Sequence, residues 1–104
     1  MTSKRTILIV EDEDIIRNSL SELLTGEGYQ VSEAGRVGDA VELAKETDFD
    51  VAICDVQLPD GDGLALLRKL HQRNPHTCIL IITAYATVEN AVDAFKAGAF
   101  DYLV

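Results

Sequence analysis

At 104 residues the chain has the length of one domain, enough to bury a core without disulfides or a structural metal and too short for a second domain. The formal net charge is −9 with a pI near 4.4, and the Lys and Arg residues form no cluster that could track a phosphate backbone, which argues against direct binding of nucleic acid. No apolar stretch approaches the ~20 residues that cross a bilayer, and Met1-Thr2-Ser3-Lys4-Arg5 leads into a strand with no cleavage site after it, so a cytoplasmic protein without a membrane partner is expected.

Apolar runs alternate with segments of helical period. Ile7-Leu8-Ile9-Val10 predicts a strand over Thr6 to Val10 that runs into Glu11-Asp12. A helix over Asp14 to Thr25 carries Ile15, Ile16, Leu20, Leu23 and Leu24 as one apolar stripe, expected in the core, and Gly26 and Gly28 fall where it must stop. A strand over Gln30 to Ala34, a helix over Val37 to Lys45 and a strand over Val51 to Asp55 follow. The third helix, Gly63 to Asn74, has Leu64, Leu66, Leu67 and Leu70 on one side and Pro75 behind it. A strand over Cys78 to Thr83, a helix over Val88 to Ala97 with Thr87 as N-cap and Gly98 after it, and a strand over Phe100 to Val104 complete the pattern.

Short β-branched runs, apolar at successive positions, are expected where helices cover both faces of a parallel sheet. With right-handed crossovers, a doubly wound α/β sheet is the simplest closure; an eight-stranded barrel would need roughly twice the length. Ligands bind beyond the carboxyl ends of such strands, so Glu11, Asp12, Asp55 and Thr83 should meet at one edge.

Three carboxylates at one edge repel and raise one another's proton affinity unless a cation neutralises them. Oxygen ligands without Cys or His point to Mg²⁺ rather than zinc, and an open cluster leaves room for water and a phosphoryl group. A carboxylate beside such a metal can attack phosphorus, and the Thr83 hydroxyl can donate to a phosphoryl oxygen. Singly, each acid reads as a loop or cap residue; together, at consecutive strand ends, they read as a site.

Cys54 and Cys78 are too few for a disulfide framework. On neighbouring parallel strands they would stand about four residues, or ~13 Å, apart along the sheet, beyond disulfide reach. His71 and His76, near the end of the third helix, are expected at the surface and remote from the acids.

Ile7-Leu8-Ile9-Val10-Glu11-Asp12-Glu13, then Asp55-Val56-Gln57-Leu58-Pro59-Asp60-Gly61-Asp62-Gly63, then Ile82-Thr83-Ala84-Tyr85 closely resemble the receiver domain of two-component response regulators, in register across essentially the whole chain. The resemblance implies a flavodoxin-like (CheY-like) five-stranded sheet of order 2-1-3-4-5. It also implies that Asp55 accepts a phosphoryl group from a sensor histidine kinase. Asp12, Asp55 and the backbone carbonyl of Gln57 would bind Mg²⁺, and Glu11, where many members have aspartate, would reach it through water. Pro59 and Gly63 would shape the loop after the acceptor strand, and Thr83 would move toward the phosphoryl group. Tyr102 falls at the aromatic switch position and reads equally well as core; Tyr85 lies beside the site. The face of the fourth helix and last strand would then switch to control an output domain.

Ala94-Phe95-Lys96-Ala97-Gly98-Ala99-Phe100-Asp101-Tyr102-Leu103 is similar to receivers of the NtrC type, whose intact proteins join an AAA+ ATPase and a DNA-binding domain in sigma-54-dependent activators. The family follows its last strand with a lysine and then a further helix, whereas this sequence stops at Val104, and Lys96 is on the fourth helix. A truncated receiver is therefore expected, with one sheet face uncovered, lower stability or self-association as a homodimer, Mg²⁺ binding retained and phosphotransfer impaired.

A dehalogenase-type phosphatase would need a second acid at Gln57. A calcium loop built on Gly63 would need carboxylates at Leu58 and Lys69, and no nucleotide-binding glycine motif follows the first strand. A signalling phosphoacceptor rather than an enzyme is the reading that remains, with a receiver-like docking module that is never phosphorylated as its alternative.

Overall fold

The computed structural model describes residues 5–55, 57–82 and 101–103. In chain order the elements are β1 (Thr6–Val10), α1 (Asp14–Gly26), β2 (Gln30–Ala34), α2 (Val37–Glu46), β3 (Val51–Cys54), β4 (Gln57–Leu58), β5 (Gly61–Asp62), α3 (Gly63–Arg73), β6 (Cys78–Ile82) and β7 (Asp101–Leu103). The helix expected over Val88 to Ala97 lies outside the described residues, as do Thr83, Tyr85, Thr87, Lys96 and Gly98.

Five strands pair in parallel in the order β2-β1-β3-β6-β7. This is the expected 2-1-3-4-5 order once the small β4–β5 hairpin is set aside. The hairpin, which periodicity does not reveal, pairs Gln57 with Asp62 and Leu58 with Gly61 across a Pro59-Asp60 turn.

Register follows from apolar rows and from a polar clasp at the amino ends of the strands. Leu8, Ala52 and Ile79 lie side by side, as do Val10, Cys54 and Ile81, and all six are buried. The Thr6 amide donates to Asp50 Oδ2 at 2.9 Å, and the Asp50 amide donates back to Thr6 Oγ1 at 3.1 Å. A slip of one residue would break the clasp and turn the apolar rows to the wrong face. The same register sets which residues meet at the far end of β1 and β3.

The rows pack against α2 and α3. Ala40 and Ala44 of α2 are buried with Leu64, Leu66, Leu67 and Leu70 of α3, as the helical period predicts.

The other face departs from expectation. Ile7 and Ile9 are buried there, but α1, which packs along β1 and β2, contains no buried residue: Ile15 is 82% exposed, Ile16 44% and Leu23 62%. In β3 and β6, Val51, Ile53, Leu80 and Ile82 are only half-buried while their neighbours in the chain are fully covered. An apolar stripe is buried only where a second layer meets it, and among the described residues no layer lies over this one.

Gly28 closes α1. Its φ of 96° is the left-handed conformation that glycine adopts without penalty, and the Gly28 and Tyr29 amides donate to Thr25 and Leu24 in a Schellman motif.

Cys78 is level with Val51 and Cys54 with Ile81, a stagger of about 10 Å along the sheet, and both thiols are free. Burial pushes the Cys54 thiol up to about 12, with the Asp55 charge adding to the effect, so it is inert core. His76 is exposed as expected. His71 is half-buried, and its Nδ1 is shielded from water without a hydrogen-bond partner among the described residues, which corrects its placement as a surface residue. None of the described helices is long and apolar enough to cross a membrane.

Candidate functional site

The sheet carries the acids together. Val10 and Cys54 are partners in register, and the ladder continues one residue beyond them, with the Asp55 amide donating to Val10 O at 2.9 Å and the Glu11 amide to Ala34 O at 3.0 Å. Glu11, Asp12 and Asp55 thus leave the strand ends from fixed backbone positions. One carboxylate oxygen of each lies within 4.8 Å of the others.

The three differ in exposure. Glu11 is buried at 8%, Asp55 is half-buried and Asp12 is exposed. Burial raises the Glu11 pKa to about 7, aided by its hydrogen bond with Asp55 and by the Asp55 charge, and opposed by the Glu13 amide that donates to Glu11 Oε1. Without a cation Glu11 is therefore partly protonated near neutrality. The donor set is oxygen throughout, since the neighbouring Cys54 sulfur is buried in the core row, and this suits a hard divalent cation.

A half-buried guanidinium braces the turn that presents Glu11 and Asp12. Arg17, on the first turns of α1, donates from Nη1 to the Glu11 backbone oxygen at 2.8 Å and from Nη2 to Asp14, and its Nε lies 3.8 Å from Glu33. Its side chain is 19% exposed. Glycine at position 35 leaves the guanidinium room: a Cβ there would stand 3.0 Å from Arg17 Nη1 and shift it by a few tenths of an ångström. Residue-type reasoning passed over both, although the Asp14 to Arg17 spacing is a recognisable helical ion pair.

After Asp55 the chain enters the β4–β5 hairpin, in which Gln57 is the first residue and Pro59 stands at the turn. Pro59 lines a shallow polar cleft with Asp12, Arg17, Glu33 and Arg36. Asp62 accepts from the Leu64 amide at 2.9 Å as the N-cap of α3, whose first residue, Gly63, is buried. Tyr102 is central in β7, level with Ile81. Thr83 and Tyr85 lie outside the described residues.

A family model, the response regulator receiver domain, matches residues 7–104. The chain belongs to the response regulator receiver domain family. It is 42% identical over 105 residues to the transcriptional regulatory protein ZraR of Escherichia coli K12, which covers 100% of this chain and 24% of the relative. It is also 42% identical over 101 residues to the response regulator protein PilR of Pseudomonas aeruginosa, covering 97% of this chain and 23% of that one. The chain thus spans about a quarter of the length of these curated relatives. Among solved structures, a CheY-like receiver domain protein from Methanospirillum hungatei superposes with a TM-score of 0.94 at 37% identity, over 97% of this chain and 81% of the other. A Burkholderia pseudomallei response regulator, determined with a phosphorylated aspartic acid, a calcium ion and citrate, gives 0.93 at 32% identity, over 96% and 59%. The receiver assignment and the flavodoxin-like topology agree with the resemblance carried by the sequence motifs.

Proposed function

We propose that Asp55 is the phosphoacceptor of this receiver and that Glu11 and Asp12 make its Mg²⁺ site. The observation that carries the reading is the meeting of three carboxylates within 4.8 Å at the carboxyl ends of β1 and β3. A phosphorylated aspartic acid and a divalent cation in the related Burkholderia receiver support it. In this reading Asp12, Asp55 and the Gln57 carbonyl would hold the metal, with Glu11 contributing through water.

Mg²⁺ there supplies positive charge that offsets the carboxylates and the incoming phosphoryl oxygens. An Asp55 oxygen attacks the phosphorus of a phosphohistidine on the sensor kinase. The P–N bond breaks with its electron pair returning to the imidazole, and the chain holds a mixed carboxyl–phosphoryl anhydride. The Asp55 carboxylate is the nucleophile. Thr83 contacts the new phosphoryl group, while Pro59 and Gly63 hold the loop. Tyr102 and Tyr85 carry the change toward the face of the last strand.

The intact protein would be an NtrC-type, sigma-54-dependent activator with AAA+ and DNA-binding output domains, a reading supported by the regulators ZraR and PilR among its relatives. A homodimer through the bare α1 face is a further element of the proposal. The domain acts as a signalling phosphoacceptor, without turnover of an external substrate. Replacing Asp55 by Asn is expected to abolish every response to a phosphodonor. Unchanged partner affinity and partner control in that variant would favour the docking module instead.

A further inference from the structure

Helix α2 has no cap of its own: Arg36, at its N-cap position, makes no side-chain bond to the first turn. The cap comes from across the molecule. Asp60, at the tip of the β4–β5 hairpin, accepts from the Val37 amide at 2.7 Å and from the Gly38 amide at 3.1 Å. These two bonds hold its carboxyl below the usual range. The hairpin is also seated tightly on the helix, since a Cβ on Gly61 would stand 3.1 Å from Val37 Cγ2. At the opposite end, Arg73 of α3 donates from Nε to Ala44 O at 2.8 Å and from Nη2 to Lys45 O at 2.9 Å. Both ends of α2 are thus held from outside, one by the hairpin before α3 and the other by the last residue of α3, but only the Asp60 clamp belongs to the segment that leaves Asp55.

We propose that Asp60 is a positioning residue for the cation site: by capping α2 from the hairpin turn it fixes the hairpin that begins at Gln57, so that cation binding and order at the amino end of α2 are coupled. This rests on the reading of Gln57 as a metal ligand through its carbonyl. The coupling is reciprocal: what steadies the hairpin steadies the Val37 and Gly38 amides, and loss of the cap loosens the metal-ligating loop. Sequence alone does not reveal it, because Asp60 and Val37 are 23 residues apart.

The test combines amide hydrogen exchange at Val37 and Gly38 with calorimetric titration of Mg²⁺ alone, on the wild type and on the Asp60→Ala, Asp60→Asn and Arg73→Gln variants. In the wild type, saturating Mg²⁺ should slow exchange at both amides by about tenfold. Asp60→Ala should lose that response and bind Mg²⁺ about tenfold more weakly, the usual range for a group that orients a ligand. Asp60→Asn keeps one acceptor oxygen, and its effect should fall between. Arg73→Gln should loosen the carboxyl end of α2 and leave Mg²⁺ affinity within about twofold, because it is remote from the acids. Wild-type affinity in Asp60→Ala, with faster exchange at Val37 and Gly38, would overturn the coupling and leave a purely structural cap. A wild type that binds no Mg²⁺ would instead refute the cation site itself.

Discussion

Arg17 donates from Nη1 to the backbone oxygen of Glu11 at 2.8 Å, so a guanidinium on α1 fixes the peptide that joins the two acids at the end of β1. Two consequences of opposite sign follow for a cation bound there. Removing the Arg17 charge would favour Mg²⁺ on Coulombic grounds, whereas removing its brace would scatter the ligands. The bond sits in a half-buried pocket with fixed partners, and the brace should win. Arg17→Ala is expected to weaken Mg²⁺ binding by about tenfold in a calorimetric titration. Equal or tighter binding would show that Arg17 acts only through its charge.

Gly35 tests the same brace from the other side. A methyl group there meets Arg17 Nη1 at 3.0 Å and pushes it aside by a few tenths of an ångström. Gly35→Ala should therefore weaken Mg²⁺ binding by less than Arg17→Ala does, and the double variant should be no worse than Arg17→Ala alone. Full additivity would mean that the two residues act separately.

The raised pKa of Glu11 gives the metal-free protein a pH dependence whose sign is determined. The folded chain holds the Glu11 proton up to about 7, and the unfolded chain releases it near the ordinary value of 4.5. More protons are bound folded than unfolded in that window, so this group's contribution to stability falls as pH rises from 4.5 to 7. Thermal melts of the metal-free wild type, with Glu11→Gln as reference, should converge toward pH 4.5 and diverge toward neutrality, with the variant the more stable there. Because Mg²⁺ must displace the same proton, its affinity should drop by up to about tenfold per pH unit below 7. A difference between the two proteins that does not vary with pH would contradict the assignment.

The uneven burial of the two helical stripes predicts unequal mutational costs. Leu66 of α3 is fully buried, and Leu66→Ala should lower unfolding stability by about 2–5 kcal/mol in denaturant titration. Ile15 of α1 is 82% exposed, and Ile15→Ala should change it by no more than about 0.5 kcal/mol. A large effect at Ile15 would mean that α1 is covered in solution.

Much of this molecule is legible in its sequence, for physical reasons. Strands covered by helices must be apolar at successive positions, which exposes β1, β3 and β6 and, with them, the polar residues that terminate each run. Glu11, Asp12 and Asp55 could be brought together from sequence because parallel strands share a carboxyl edge. Arg17, Gly35 and Asp60 could not, since their roles depend on which elements touch in space, and nothing local distinguishes a guanidinium that braces a turn from one in solvent. The α1 stripe was misleading for the converse reason: Ile15 and Leu23 have the helical period of core residues, but period says nothing about whether a second layer arrives.

The decisive measurement is mass spectrometry of the protein after exposure to a phosphodonor with and without Mg²⁺, with the acyl phosphate trapped by reduction before digestion. A single modified residue, Asp55, is expected, formed only with Mg²⁺ and lost in Asp55→Asn. Modification at another residue, or equal modification of Asp55 without a divalent cation, would contradict it.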